Sequence, residues 1–221
     1  METINQLRAD IVAAGVELLK KGLVAGTWGN ISARCSQTGL VAITPSGRSY
    51  TTLTPDDIII LDKCGNIHEG RWTPSTELPL HLAVYKARPD VQAVVHTHSI
   101  FASACAVARK AIPPILEELV QVVGGAVEVA EYAAPGTECL AQNAVAALGR
   151  KNAVLLANHG DIGCGQSLRE AMLACELVEK AAQIYIYANQ LGGAAILSEA
   201  DVADMHEFYR AHYSRRQEGK E

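Results

Sequence analysis

Leu7, Ile11, Ala14 and Leu18 recur at three- and four-residue spacing, which predicts a helix over Glu2 to Lys21 that stops at Gly22. The period then changes. Between 23 and 69 short β-branched runs are separated by Gly, Pro and Asn. Ile31 to Ala33, Leu40 to Thr44, Ile58 to Leu61 and Asn66 to His68 read as strands, with Lys63 to Asn66 as a tight turn between the last two. Ser75 or Thr76 caps a helix to about Arg88, and Pro79 is tolerated in its first turn. Val91 to Val95 reads as a strand, and Ser99 opens a helix to about Arg109. A short strand over Val127 to Ala130, a helix from Thr137 to Leu148 stopped by Gly149, and a buried strand over Ala153 to Ala157 follow. Ser167 to Glu170 is a capping box opening the longest helix, which runs to about Gln190, and Ser198 caps the last one.

A β-rich stretch followed by alternating elements predicts an α/β sandwich, with helices on a mixed, mainly antiparallel sheet. There is no internal repeat and no low-complexity linker, and 221 residues suit one domain spanning 1–221.

Composition narrows the function. With 49% hydrophobic and 19% charged residues the chain has enough apolar surface to fold. Its 19 basic and 24 acidic residues give a net charge of −5, without a basic face. Arg215-Arg216 reads as a solvated tail, and aromatics at 5% are too few for base-stacking platforms, so a nucleic-acid partner is not expected. No apolar run reaches the roughly 18 residues that span a bilayer, so no membrane partner is expected. The N-terminal residues are acidic where a signal peptide is basic. Six scattered cysteines without a CxxC pair read as reduced thiols of a cytoplasmic protein.

The candidate chemistry centres on histidine. On a strand continuing from Val91, His96 and His98 project from the same face and could grip one metal, or they are two loop histidines. His159 ends another buried strand, and three imidazoles at strand ends match an open catalytic zinc site. Glu77, in the first turn of its helix, is either a carboxylate favoured by the helix dipole or a general base and fourth metal ligand. His81, one turn later, could also face the site but reads first as a structural surface histidine. Gly26 to Asn30, Thr44 to Gly47 and Ser75-Thr76 are ordinary turns or, together, a phosphate cradle of backbone N–H groups and hydroxyls. A Walker A motif and a GxGxxG are both absent.

Taken in order, Gly26-Thr27-Trp28-Gly29-Asn30, Ile43-Thr44-Pro45-Ser46-Gly47, Pro74-Ser75-Thr76-Glu77, Val94-Val95-His96-Thr97-His98 and Asn158-His159-Gly160 resemble the class II aldolase/adducin family, over about residues 5 to 214. The resemblance implies a three-layer α/β/α domain, one zinc ion per subunit and a homotetramer with active sites between subunits. It implies His96, His98 and His159 as zinc ligands, and Glu77 as fourth ligand and base. Gly29, Asn30, Ser46, Gly47, Ser75 and Thr76 would bind the phosphate of a small sugar phosphate. The implied activity is a lyase cleaving a ketose 1-phosphate to dihydroxyacetone phosphate and an aldehyde. Aldolase members carry a Tyr where this chain has Glu117, a replacement shared with dehydratase members. A dehydratase is therefore the alternative, and a non-catalytic adducin-like domain a third reading. Glu117 would act as an acid whose pKa is raised by burial beside Ile115, Leu116 and Leu119, or it is a helix-surface residue beside Glu118. The C-terminal Tyr of aldolase members has only an approximate match in Tyr213 or His212.

Overall fold

The computed structural model describes residues 3–213; Arg215-Arg216 and the side chain of Tyr213 lie outside the described residues. Helix α1 (Ile4–Lys20) buries Leu7, Ile11, Ala14 and Leu18, and the Thr3 hydroxyl accepts from the Gln6 N–H at its start. The chain leaves it through Gly22 at φ 69°, as the sequence implies.

Eight strands then build one sheet: β1 (Asn30–Arg34), β2 (Val41–Ile43), β3 (Ile59–Leu61), β4 (Ile67–Glu69), β5 (Ala93–Thr97), β6 (Val129–Ala130), β7 (Ala153–Leu156) and β8 (Gly160–Gly165). Their order is β4-β3-β2-β1-β5-β8-β7-β6. Every neighbouring pair is antiparallel except β6–β7, so the sheet is mixed and mainly antiparallel as expected.

Helices cover both faces, because the central strands alternate between two apolar cores. Ala93 and Val95 pack with Ile31 against α1 and α6 (Leu168–Gln190). Val94, Val154 and Leu156 pack the other way, against α2 (Leu78–Ala87) and α5 (Glu138–Leu148). Helices α3 (Ile100–Val107) and α4 (Glu117–Val123) join the first layer beside α6, around Ala106, Leu119, Leu155 and Val178. The described residues end in α7 (Glu199–Phe208) and a π-helical turn over Tyr209–Tyr213. Among the described residues no helix is long and apolar enough to cross a membrane.

Two elements carry little sequence signal. Strand β8 reads Gly-Asp-Ile-Gly-Cys-Gly, and glycine is depleted in strands. Here it is required by proximity: a Cβ on Gly163 would stand 2.4 Å from the Ala171 carbonyl oxygen, so α6 can lie directly on the strand only if that side chain is absent. Helix α4 follows Pro113-Pro114 and is capped by Leu116, which makes no side-chain cap bond, so it lacks the usual start signal. At α6 the capping box forms with a shift: Ser167 Oγ accepts from Glu170 N–H, and the Glu170 carboxylate reaches back to the N–H of Gln166.

Candidate active site

The site forms where β1, β5 and the β7–β8 turn end together, facing the N-terminus of α2. In β5 the side chain of His96 points to the α2 face with Val94. His98 lies just past the strand end, and its Nε2 is 2.8 Å from Nε2 of His96. His159 sits in the turn from β7 to β8, closed by the His159 N–H to the Leu156 carbonyl at 3.0 Å, with Asn158 at φ 56°. Arg109, from beyond the end of α3, donates to the Asn158 side-chain carbonyl. The three imidazoles lie edge to face, with ring centroids 4.7 to 4.9 Å apart.

Glu77 occupies the cap position of α2, one residue before the first helical turn that the sequence suggested for it. The difference follows from Ser75, whose Oγ accepts the Glu77 N–H at 3.2 Å and delays the helix. From the cap, Glu77 Oε2 is 3.0 Å from His96 Nε2, and Oε1 is 3.3 Å from His159 Nε2. Burial alone would raise the Glu77 pKa, but the His96 and His159 imidazoles and the Asn30 amide outweigh it and hold the group below the usual carboxylate range. Burial opposes charge on His96 as well, yet the Glu77 carboxylate raises its pKa. Burial, reinforced by His96, pushes His98 down to about 3 and His159 to about 4.

These residues suit a divalent metal. The ligand nitrogens of His96, His98 and His159 lie within 4.8 Å of one another. Glu77 Oε1 is buried without a hydrogen-bond partner. His96 Nδ1 donates to the Asp161 carbonyl at 2.9 Å, which leaves its Nε2 lone pair directed into the site, the usual outer support of a metal-binding imidazole. Three nitrogen lone pairs and a carboxylate aimed at one point form a donor set for a transition metal.

Every residue marked from the sequence for metal or phosphate lines the same cavity: Gly29, Asn30, Ser46, Gly47, Ser75, Thr76, Glu77, His96, His98 and His159. The two polar loops are tied together by Ser46 N–H to the Thr73 carbonyl and Ser75 N–H to the Thr44 carbonyl, at 3.0 and 3.1 Å. Gly29 has φ 80°, and a Cβ there would stand 2.7 Å from the His96 carbonyl oxygen, so this loop reaches the end of β5 only as glycine. Trp28, 66% exposed, forms a wall beside His98 at 5.6 Å between ring centroids; the motif contains it, but no pattern singles it out.

One expectation is corrected, and of the two readings of Glu117 the surface one fits. His81 is not at the surface but fully buried between Ser32 and Asn30, because its helix face packs on β1. Burial pushes its imidazole down to about 3. Glu117 is not buried by its apolar neighbours: it is the exposed first residue of α4 and does not line the cavity. Leu119 turns into the core, whereas Glu118 is paired with Lys180 at 2.6 Å. His212 is exposed against the Phe208 ring. Asp161, overlooked in the sequence, is buried behind the site, where its carboxylate accepts from Thr97 and Ser99 at 2.5 and 3.3 Å. Its position in a glycine-rich strand hid it.

Comparison with known proteins agrees with this geometry. Residues 9–186 match the model of the class II aldolase and adducin N-terminal domain. The chain belongs to this family, and it is an enzyme, a class II aldolase. It is 38% identical over 202 residues to 5-deoxy-D-ribulose 1-phosphate aldolase of Bacillus thuringiensis serovar kurstaki, covering 91% of this chain and 94% of that protein. L-fuculose phosphate aldolase of Escherichia coli is 34% identical over 215 residues, covering 97% and 99%. A solved structure of L-fuculose 1-phosphate aldolase superposes with a TM-score of 0.89 at 36% identity, covering 92% of this chain and 96% of that one.

Proposed function

We propose that this protein is a zinc-dependent aldolase of one class II aldolase-like domain, cleaving a small ketose 1-phosphate to dihydroxyacetone phosphate and an aldehyde. The observation that carries the reading is the convergence of three imidazole nitrogens and the Glu77 carboxylate in one cavity with the Ser46-Gly47 and Ser75-Thr76 loops. His96, His98 and His159 would hold zinc, with Glu77 as a fourth ligand before substrate arrives. When bound, the metal supplies Lewis-acid polarisation of the substrate carbonyl. The names of the two relatives support a ketose phosphate as substrate.

The chain's own groups do the rest. Gly29, Asn30, Ser46, Gly47, Ser75 and Thr76 bind the phosphate, aided by the N-terminal end of α2. In cleavage, the C4 hydroxyl gives up its proton, the C3–C4 bond breaks and C4 leaves as the aldehyde carbon. The electron pair stays on the dihydroxyacetone phosphate fragment, and Glu77 delivers a proton to C3. In synthesis Glu77 removes that proton, a role supported by the position of its carboxylate oxygens 3.0 Å and 3.3 Å from the His96 and His159 imidazoles. Glu117 exchanges the proton of the C4 hydroxyl from a neighbouring subunit, an assignment supported by its exposure, which leaves the carboxylate free to face another chain. This requires a neighbouring copy, as a homotetramer supplies, and the exposed apolar Ile100, Val107 and Leu191 support such contacts. A cytoplasmic setting is supported by six cysteines without a disulfide.

Dehydration is the second reading, favoured by the single observation of a carboxylate at 117. Zinc-loaded protein assayed on a panel of ketose 1-phosphates separates the two: aldehyde with dihydroxyacetone phosphate supports the lyase, and a dehydrated sugar phosphate alone overturns it. An adducin-like scaffold is opposed by the intact set of Glu77 and three histidines.

A further inference from the structure

Below the cavity, Tyr85, Ser32 and His81, which the chemistry above does not use, join Asn30 and Glu77 in one continuous series of hydrogen bonds. The Tyr85 hydroxyl is 2.8 Å from Ser32 Oγ, and Ser32 Oγ is 2.7 Å from His81 Nδ1. His81 Nε2 is 2.5 Å from Asn30 Oδ1, and Asn30 Nδ2 is 3.4 Å from Glu77 Oε2. All five residues are buried.

The donor inventory gives the series one direction. A carboxylate only accepts, so the Asn30 amide turns its N–H to Glu77 and its carbonyl to His81. That carbonyl needs the imidazole proton on Nε2, which leaves Nδ1 of the neutral ring as an acceptor. Ser32 therefore donates to Nδ1, and its oxygen accepts from Tyr85. Reversing one link would set two donors or two acceptors against each other in a buried interface, so the orientation of each group depends on its neighbour. The series lies between β1 and α2, and it ends on the carboxylate aimed at His96 and His159.

We propose that His81 is a positioning residue for Glu77: its neutral, Nε2-protonated ring fixes the Asn30 amide so that an N–H, and not the carbonyl, faces the carboxylate. With the amide reversed, its carbonyl would repel Glu77 from the imidazoles. This role deepens the assignment of Glu77 as base and rests on it.

The test is a double-mutant cycle. His81→Leu and His81→Gln are measured in the wild-type and Glu77→Gln backgrounds, with kcat, KM, metal content and thermal midpoint recorded for each. Gln keeps an amide N–H for Asn30 and an amide oxygen for Ser32, whereas Leu keeps neither. The expected result is a fall in kcat of about tenfold or more for His81→Leu, the scale of lost outer support in metal sites. KM and metal content stay near wild type, His81→Gln recovers most of the loss, and His81→Leu has no further effect in the Glu77→Gln background. If His81→Leu does not fold, Ser32→Ala, which removes the donor to Nδ1, takes its place with the same expected pattern. An equal loss in both backgrounds, or a Gln variant no better than Leu, overturns the positioning role alone. Wild-type turnover by Glu77→Gln itself overturns the base assignment, and the role of His81 with it.

Discussion

His96 Nε2 stands 3.0 Å from Glu77 Oε2, although one residue lies on a central strand and the other caps a helix from the covering layer. The contact joins the group that would hold a metal to the group that would move a proton, so the two functions can be separated by substitution.

Removing an imidazole should cost both. His96→Ala and His159→Ala are expected to lose the metal and the activity together, whereas wild type should bind about one zinc per chain in the three-histidine pattern. Metal analysis after gel filtration in dilute chelator reads this directly. Full metal content in His96→Ala would remove His96 from the ligand set.

Glu77→Gln should behave differently, because the imidazoles remain. Zinc is expected to stay, and kcat to fall by about 100-fold or more, the usual scale for a lost general base. Steady-state kinetics with metal analysis on the same sample checks both halves. An unchanged kcat would contradict the assignment.

The phosphate loops predict a split between two serines. Ser46 is exposed on the cavity rim, so Ser46→Ala should mainly raise KM. Ser75 also accepts the Glu77 N–H, so Ser75→Ala should raise KM and lower kcat together. A dephosphorylated substrate should erase the KM effect of Ser46→Ala, and an equal effect on both substrates would exclude a phosphate contact.

Much of this site was legible because its residues fall in short motifs at strand and helix ends, where local pattern decides position. His96 and His98 meet as their spacing suggested, with Nε2 atoms 2.8 Å apart although the strand stops at Thr97, and Glu77 lies within one residue of its expected place. What the pattern could not show depends on contacts between layers. His81 looked like a surface residue because its polarity gave no hint that Ser32 and Asn30 on β1 would satisfy it in the interior. Strand β8 was hidden because Gly163 and Gly165 answer to the approach of α6 and Gly160 to that of the Thr97 backbone, not to strand propensity. The apolar neighbours of Glu117 left burial and a helix-surface position both open; helical geometry turns Leu119 inward and leaves Glu117 on the surface.

Asp57 predicts a pH dependence away from the site. Its Oδ1 accepts from Trp72 Nε1 and from Arg71, both at 2.7 Å, and its Oδ2 from the Thr54 N–H and hydroxyl. The Trp72 bond first, then Arg71 and Thr54, hold its carboxyl well below the usual range. Because the folded pKa lies below the unfolded one, the stabilisation is fully present above the unfolded value near 4 and fades as pH falls toward the folded value. Asp57→Asn should therefore lower the thermal midpoint at pH 7, with the gap to wild type narrowing below about pH 4. A gap independent of pH would show that the carboxylate charge contributes nothing.

The central claim, metal-dependent cleavage of a ketose 1-phosphate, is met most directly by following dihydroxyacetone phosphate released from 5-deoxyribulose 1-phosphate by one preparation. It is assayed as purified with zinc, after exhaustive chelation and after zinc is returned. The account predicts release that disappears on chelation and returns with the metal, with one aldehyde formed for each dihydroxyacetone phosphate. Undiminished release from the chelated protein would contradict it.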